Sequence, residues 1–355
     1  MTASDMESMT MKELLSFASD EDRHGFENLW LGYTQSYGAP DLRREIAATY
    51  DNLSDENILC FAGAEEGIYT AMRCLLSSDD HAIVVVPNYQ AAETIPLSIC
   101  NVTGVPLQAD NNWALDINEI SKALRANTKL ISINFPHNPT GKIITKEELE
   151  ELVKLARDFD LYIFSDEVYW GIERDEKLRL PQVADIYEKG ISLNVMSKAY
   201  GLPGLRIGWI ACQDTELLTK FERYKLYLSI CNSGPSERLA VIALKARQEI
   251  LARNKAILDD NAAKLDEFFA EFPEIFEWKR PDGGAIAYPK YLKSDDCNNF
   301  CSDLLNKTGI LVLPPKVYHS DLMDTPQNHF RIGYGRKNLS EMLDVFYHYL
   351  KKNTP

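Results

Sequence analysis

At 355 residues the chain is well past the size at which one core stops growing, so a large domain with a smaller companion is the natural expectation. Hydrophobic residues at 45% and charged residues at 26% suit an ordinary globular enzyme, and a net charge of −15 argues against a general nucleic-acid surface, which needs clustered Lys and Arg. No apolar run reaches membrane-spanning length, Met1 to Ser8 lacks the basic and apolar pattern of an export signal, and seven cysteines without a Cys-x-x-Cys spacing fit a reducing, cytoplasmic setting. A small-molecule partner is expected, with no nucleic acid, no membrane and no metal, since Cys297 and Cys301 have no histidines at ligand spacing.

In chain order, Thr10-x-x-Glu13 is a capping box that opens a short helix over 11–18, and a second helix ends near Tyr50. Ile58 to Phe61 reads as a strand, and Gly63-Ala64-Glu65-Glu66-Gly67 starts a helix to about Leu76. A strand, a small-residue turn and a helix N-terminus make an anion site, because free backbone N–H groups and the helix dipole face the same way. Strands His81 to Val86 and Val102 to Leu107, a helix from Asp116 to Leu124 and a strand from Lys129 to Asn134 follow. Asn138-Pro139-Thr140-Gly141 is turn chemistry, and His137 beside it reads as a loop residue rather than a base. Thr145-x-x-Glu148 caps an amphipathic helix to about Asp158. The next strand, Leu161 to Ser165, ends at Asp166, a carboxylate that burial makes costly unless it is paired.

Strand Ile191 to Met196 ends at Ser197-Lys198, and eight residues later Arg206 opens a second apolar run, Ile207 to Ala211. A strand-end lysine desolvated by apolar neighbours can form a Schiff base, and an arginine returning to the same strand ends can neutralise a phosphate. Helical patterns then fill Glu216 to Ala270, read as including a long helix that links two domains. Ala285 to Tyr288, a helix near Asn298 to Asn306, Ile310 to Leu313, His329 to Gly333 and a closing helix from Leu339 read as a small α+β domain. The expected division is a large domain at 35–234 and a small one made of 1–34 and 235–355. The βα alternation implies an α/β fold with a mostly parallel central sheet between helices and sites at strand C-termini. Arg331 lies inside an apolar strand, where a planar fork suits a substrate α-carboxylate; an internal ion pair is the alternative.

Ser197-Lys198 followed by Gly204-x-Arg206-x-Gly208, together with the Asn138 loop and Asp166-x-x-Tyr169, resembles the class I/II aminotransferases, the fold type I family that uses pyridoxal phosphate (PLP). The resemblance spans nearly the whole chain. It implies that Lys198 is the Schiff-base lysine, that Asp166 pairs with the pyridine nitrogen, and that Tyr169 and Asn138 bond the phenolic oxygen. Gly63, Ala64, Glu65, Ser197 and Arg206 would hold the phosphate, and Tyr89 would stack on the ring unless it is plain core packing. Tyr33, on its own an exposed loop tyrosine, would reach the phosphate of the partner subunit in a homodimer. Arg331 would grip the α-carboxylate.

Three departures stand out. Val195 occupies a place where many relatives have a phosphate-binding serine. The chain begins late, so an N-terminal arm is absent or precedes Met1. The first substrate loop is Ser4-Asp5-Met6-Glu7-Ser8, with Ser4 in place of a glycine; Asp5 and Glu7 flank the substrate entrance or form a solvated acidic terminus, and Glu65 and Glu66 are further carboxylates able to favour basic side chains. Arg336 is the one candidate for gripping a dicarboxylate. The implied activity is transamination of an α-amino acid with a keto acid. The alternative is elimination or cyclisation of a hydroxylated basic amino acid, as in relatives resembling capreomycidine synthase. A non-catalytic PLP-binding regulatory module would need an appended recognition domain, and the sequence shows none.

Overall fold

The computed structural model describes residues 1–294 and 296–353. Among them the main sheet has eight strands: β1 (Ile58–Phe61), β2 (His81–Val86), β3 (Asn101–Gln108), β4 (Ala114–Leu115), β5 (Thr128–Asn134), β6 (Tyr162–Asp166), β7 (Gly190–Val195) and β8 (Gly208–Cys212), in the order β1-β8-β7-β6-β5-β2-β3-β4. Strands β3, β2, β5, β6 and β7 pair in parallel, whereas β8 runs antiparallel to both β1 and β7. Strands β2 and β7 are buried at every position, which is why they read as unbroken apolar runs rather than alternating ones.

The strand period of two divides these side chains between two apolar layers. On one face Leu59, Phe61, Leu130, Phe164, Leu193 and Ile210 pack with Ile68, Met72 and Leu75 of the helix Ala64–Leu75 and with Leu218 and Phe221 of the helix Thr215–Lys225. On the other, Ile131, Ile133 and Ile163 meet Leu149 and Leu152 of the helix Lys146–Asp158, while Cys60, Val195 and Trp209 meet Leu239 and Ile242 of the helix Gly234–Lys245. The sheet is thus covered on both faces, as an α/β fold requires.

The strands fall within a residue or two of their expected places, but several other elements differ. The first helix stops at Leu15. The stretch from Glu216 to Ala270 is not one helix: Thr215–Lys225, Gly234–Lys245 and the 24-residue Arg247–Ala270 are separate, broken where Ile230 takes a φ of 65° and again at Ala246. The strand expected at His329 to Gly333 shrinks to Ile332–Gly333, paired with Ile286–Ala287, and from Ile310 to Leu313 only Leu313 pairs, with Arg331. Three helices went unread, one of them the four-residue Val183–Ile186. Asp20–Glu27 is capped by Ser19 yet buries no residue, so it shows no apolar stripe, and Ala91–Leu97 is short and contains Pro96.

Register brings distant residues to one edge of the sheet. Asn134 at the end of β5 pairs with Asp166 at the end of β6, which pairs with Leu193 of β7. Gly208, at the start of the reversed β8, pairs with both Val195 and Phe61, so the residues before β8 lie beside those that follow β7 and β1. The N-terminal segment crosses this edge: Gly333 N–H donates to the Met1 carbonyl at 2.9 Å, Glu7 N–H to the Gly335 carbonyl at 2.8 Å, and Met6 is fully buried between them.

Candidate active site

A cavity of 570 Å³ opens at this edge. Lys198, Asp166, Tyr169, Asn138, Ser197, Ala64, Glu65, Tyr89, Arg206, Arg331, Ser4 and Asp5 all line it. Gly63, although not part of the wall, lies beneath Arg206: a Cβ there would run into the guanidinium, and its φ of 95° already favours glycine. Gly208 closes the same corner, since a Cβ on it would stand 2.8 Å from Gly63 C and Ala64 N. Two glycines therefore let the start of the helix Ala64–Leu75 approach the start of β8, with Arg206 over the helix N-terminus.

Lys198 Nζ lies 2.8 Å from Ser4 Oγ, and burial lowers the proton affinity of its amine. Asp166 faces the cavity from the end of β6; desolvation, partly offset by the Val168 N–H at 3.2 Å and by the Lys198 charge, raises its carboxyl to about 6. Tyr169 is buried, and desolvation pushes its phenol well above the ordinary tyrosine range. Its hydroxyl, beside Ser4 and Arg331, has no partner in good hydrogen-bond geometry among the described residues. Tyr89 is half-exposed at the cavity wall, donates to Glu65 Oε2 at 3.2 Å and is pushed up to about 12 by burial first and the Glu65 charge second.

Arg331 is buried. Its Nη1 donates to Asn138 Oδ1 at 3.1 Å and its Nη2 to the Thr2 carbonyl at 2.7 Å, while Nε has no partner among the described residues. Among the described residues the internal ion pair weighed as its alternative does not form: both bonds go to neutral oxygens, so the fork keeps its charge for an anion. Asn138 is held by its own N–H on Asn134 Oδ1 at 2.8 Å, and Asn134 by Nδ2 on the Asp166 carbonyl at 2.8 Å. His137 sits behind this loop with Nδ1 2.8 Å from Thr140 Oγ1 and Nε2 2.8 Å from the Pro87 carbonyl; burial lowers it to about 4, which leaves a neutral, fully bonded ring that braces the turn.

Some expectations are corrected. Asp5 is not a free carboxylate, because Arg336 Nη2 contacts both its oxygens at 2.8 and 2.9 Å; the pairing takes Arg336 out of service as a grip for a dicarboxylate. Glu7 accepts from Lys337 N–H, and Glu66 accepts from the Ala62 and Ser229 N–H groups, so neither carboxylate joins the cavity wall. Tyr33 is 83% exposed and away from its own chain's cavity. Tyr318 was missed: it lines the cavity and donates to Asn138 Oδ1 at 3.3 Å, but it belongs to a turn after Pro314-Pro315 that carries no periodic signal.

Comparison with known sequences decides the family. The profile of "Aminotransferase class I and II" matches residues 3–346. The chain belongs to that family. The chain is 32% identical over 295 residues to an aspartate aminotransferase from Pyrococcus horikoshii, covering 80% of this chain and 75% of that one. It is 26% identical over 284 residues to capreomycidine synthase from Streptomyces vinaceus, covering 80% and 72%. A PLP-dependent aminotransferase from Streptococcus suis superposes with a TM-score of 0.92 at 30% identity, over 100% of this chain and 93% of that one. The family's cofactor is pyridoxal phosphate. The chain has the chemistry to take it: a cradle at Gly63 and Gly208 that a Cβ would fill, an exposed arginine over a helix N-terminus, a desolvated lysine amine and a buried tyrosine hydroxyl without a partner among the described residues.

Proposed function

We propose that the chain is a transaminase for an α-amino acid and a keto acid, with Lys198 as the base and cofactor anchor and Arg331 as the α-carboxylate site. The observation that carries this reading is the convergence on one cavity of a desolvated amine, a carboxylate at a strand end and a buried arginine that has no acidic partner among the described residues. PLP, when bound, supplies an electron sink for the charge left as the substrate loses its Cα proton. Desolvation lowers the proton affinity of Lys198 Nζ and so favours the free amine, the form that can take that proton from Cα and return it elsewhere. Asp166, ionised above about pH 6, holds a proton on a ring nitrogen by charge. Arg331 Nη1 and Nη2 orient the substrate, and Tyr169 and Asn138 offer a hydroxyl and an amide to the phenolic oxygen. The Ala64 and Glu65 N–H groups, Ser197 and Arg206 would hold the phosphate, more of that task falling on them because Val195 brings no hydroxyl to the cavity wall.

The same reading treats 35–234 as the cofactor-holding part and 1–34 with 235–355 as the part that brings Ser4, Asp5 and Arg331 to the substrate. Seven free cysteines support a reducing, cytoplasmic setting. A second reading keeps the site and changes the outcome: Glu65 places a carboxylate in the wall, bonded there to the Tyr89 hydroxyl, which suits a cationic side chain, and the likeness to capreomycidine synthase supports cyclisation of a hydroxylated basic amino acid. Borohydride should fix the cofactor onto the peptide that contains Lys198, and Lys198→Ala should abolish that adduct. A panel of amino acids should then yield keto acids of the matching mass together with pyridoxamine phosphate. Water loss or ring closure without pyridoxamine phosphate would move the assignment to the lyase or cyclase, and an unchanged adduct in Lys198→Ala would remove Lys198 from its role.

A further inference from the structure

The N-terminal segment does more than cover the cavity, because it places one hydroxyl on the lysine. Ser4 is pinned from both sides. Before it, the Thr2 carbonyl accepts from Arg331, the Met1 carbonyl accepts from Gly333, and Ala3 presses so closely on Gly333 that a Cβ there would overlap its carbonyl. After it, Asp5 is held by both carboxylate oxygens on Arg336, Met6 is fully buried with its N–H 3.4 Å from the Lys198 carbonyl, and Glu7 N–H bonds the Gly335 carbonyl. With six flanking residues held, the 2.8 Å contact from Lys198 Nζ to Ser4 Oγ is a consequence of the fold and not of a free side-chain torsion alone. The other neighbour of Ser4 is the Tyr169 hydroxyl, which otherwise has no partner in good geometry among the described residues, so the Ser4 hydrogen has an oxygen to turn toward.

We propose that Ser4 is a positioning residue for the catalytic amine: its hydroxyl receives an N–H of Lys198 whenever that amine is free, fixing the amine's direction and raising its proton affinity against the surrounding burial. The role deepens the Lys198 assignment and rests on it. A hydroxyl that accepts from an ammonium stabilises the charged form more than the neutral one, and desolvation acts in the opposite sense. The serine thereby offsets part of the desolvation of the amine while fixing the direction of its N–H.

The test compares Ser4→Ala with Ser4→Thr, which keeps a hydroxyl at the same place. In the full chain without cofactor, the pH dependence of Lys198 acetylation by limiting acetic anhydride is read on the isolated peptide. Ser4→Ala should move the midpoint down by about one to two units, the size of a lost hydrogen bond to a charged group, and Ser4→Thr should restore most of it. In the loaded enzyme Ser4→Ala should lower kcat about tenfold or more while KM changes little, with the acidic limb of the kcat profile shifted in the same direction. Equal midpoints for wild type and Ser4→Ala, or equal impairment in the alanine and threonine variants, would overturn the proposal. The acetylation arm needs no substrate, so its result stands whether the enzyme transaminates or cyclises; loss of the borohydride adduct assignment would instead strike the reading of Lys198 itself.

Discussion

At the scale of single residues, Asp166 shows how burial sets a working pH. Its carboxyl is raised to about 6, with desolvation as the largest cause and the Lys198 charge working against it. The group is therefore charged above about pH 6 and neutral below, whereas in an unfolded chain it would ionise near 3.9. Holding a protonated ring nitrogen requires the charged form. Cofactor affinity should be at its full value above about pH 6 and weaken as pH falls through it, approaching tenfold per unit at the acid end. Asp166→Asn removes the titrating group, so its affinity should be weaker and flat over that range, and turnover should fall on the order of a hundredfold or more because the electron sink loses its counter-charge. Dissociation constants from visible titrations between pH 5 and 8 check both statements; a wild-type affinity that is flat through pH 6, or a variant that keeps the same slope, would show that another group governs binding.

At the scale of elements, the cradle depends on how closely two chain reversals approach. Gly208 pairs with Phe61 and Val195, and a methyl on it would stand 2.8 Å from Gly63 C and Ala64 N, closer than real contacts allow. Gly208→Ala should push the helix start away from Arg206 at a cost of about 1–3 kcal/mol. Cofactor affinity should drop about tenfold or more. Gly204, four residues earlier, has nothing within 4 Å of an added Cβ and gives the control: Gly204→Ala should bind like wild type, and equal effects of the two substitutions would rule out the cradle. The strands that build this edge were legible because buried parallel strands are continuous apolar runs, and the residues at their ends stood out as polar interruptions: Asp166, Asn138 and Lys198. What escaped notice depends on long-range contact. Asp20–Glu27 has no apolar face to show, Tyr318 acquires its role only through Asn138, and the pairing of Asp5 with Arg336 joins residues 331 positions apart. No local pattern announces that Arg336 is neutralised, so the acidic entrance expected from Asp5 and Glu7 became an ion pair and a backbone contact.

At the scale of the whole molecule, the chain leaves several large apolar side chains exposed in one region. Trp30, Leu31 and Tyr33 are 81%, 79% and 83% exposed, and Tyr227 is 90% exposed. The two stretches are neighbours: Thr34 Oγ1 donates to the Asn232 carbonyl at 3.2 Å, and Gly234 lies against Leu29 and Thr34. Large apolar side chains grouped in this way mark an interaction face, and covering them would contribute about 1.5–3 kcal/mol each. The same region is tied to the cradle, since Glu66 accepts from both Ser229 N–H and Ala62 N–H, the latter one residue before Gly63. A two-fold dimer through this face would give Tyr33 the partner's phosphate site to complete, the role its exposure denies it on its own chain. The wild-type protein should therefore sediment as a dimer at micromolar concentration. Replacing Trp30 and Leu31 together by serine should shift it toward monomer and release cofactor in parallel. Tyr33→Phe should leave the dimer intact and weaken cofactor binding by about 1.5–3 kcal/mol, the worth of one hydrogen bond to a charged group. A wild-type monomer with full activity would remove both the interface and the role of Tyr33, whereas a dimer whose cofactor affinity ignores Tyr33→Phe would keep the interface and remove only the tyrosine.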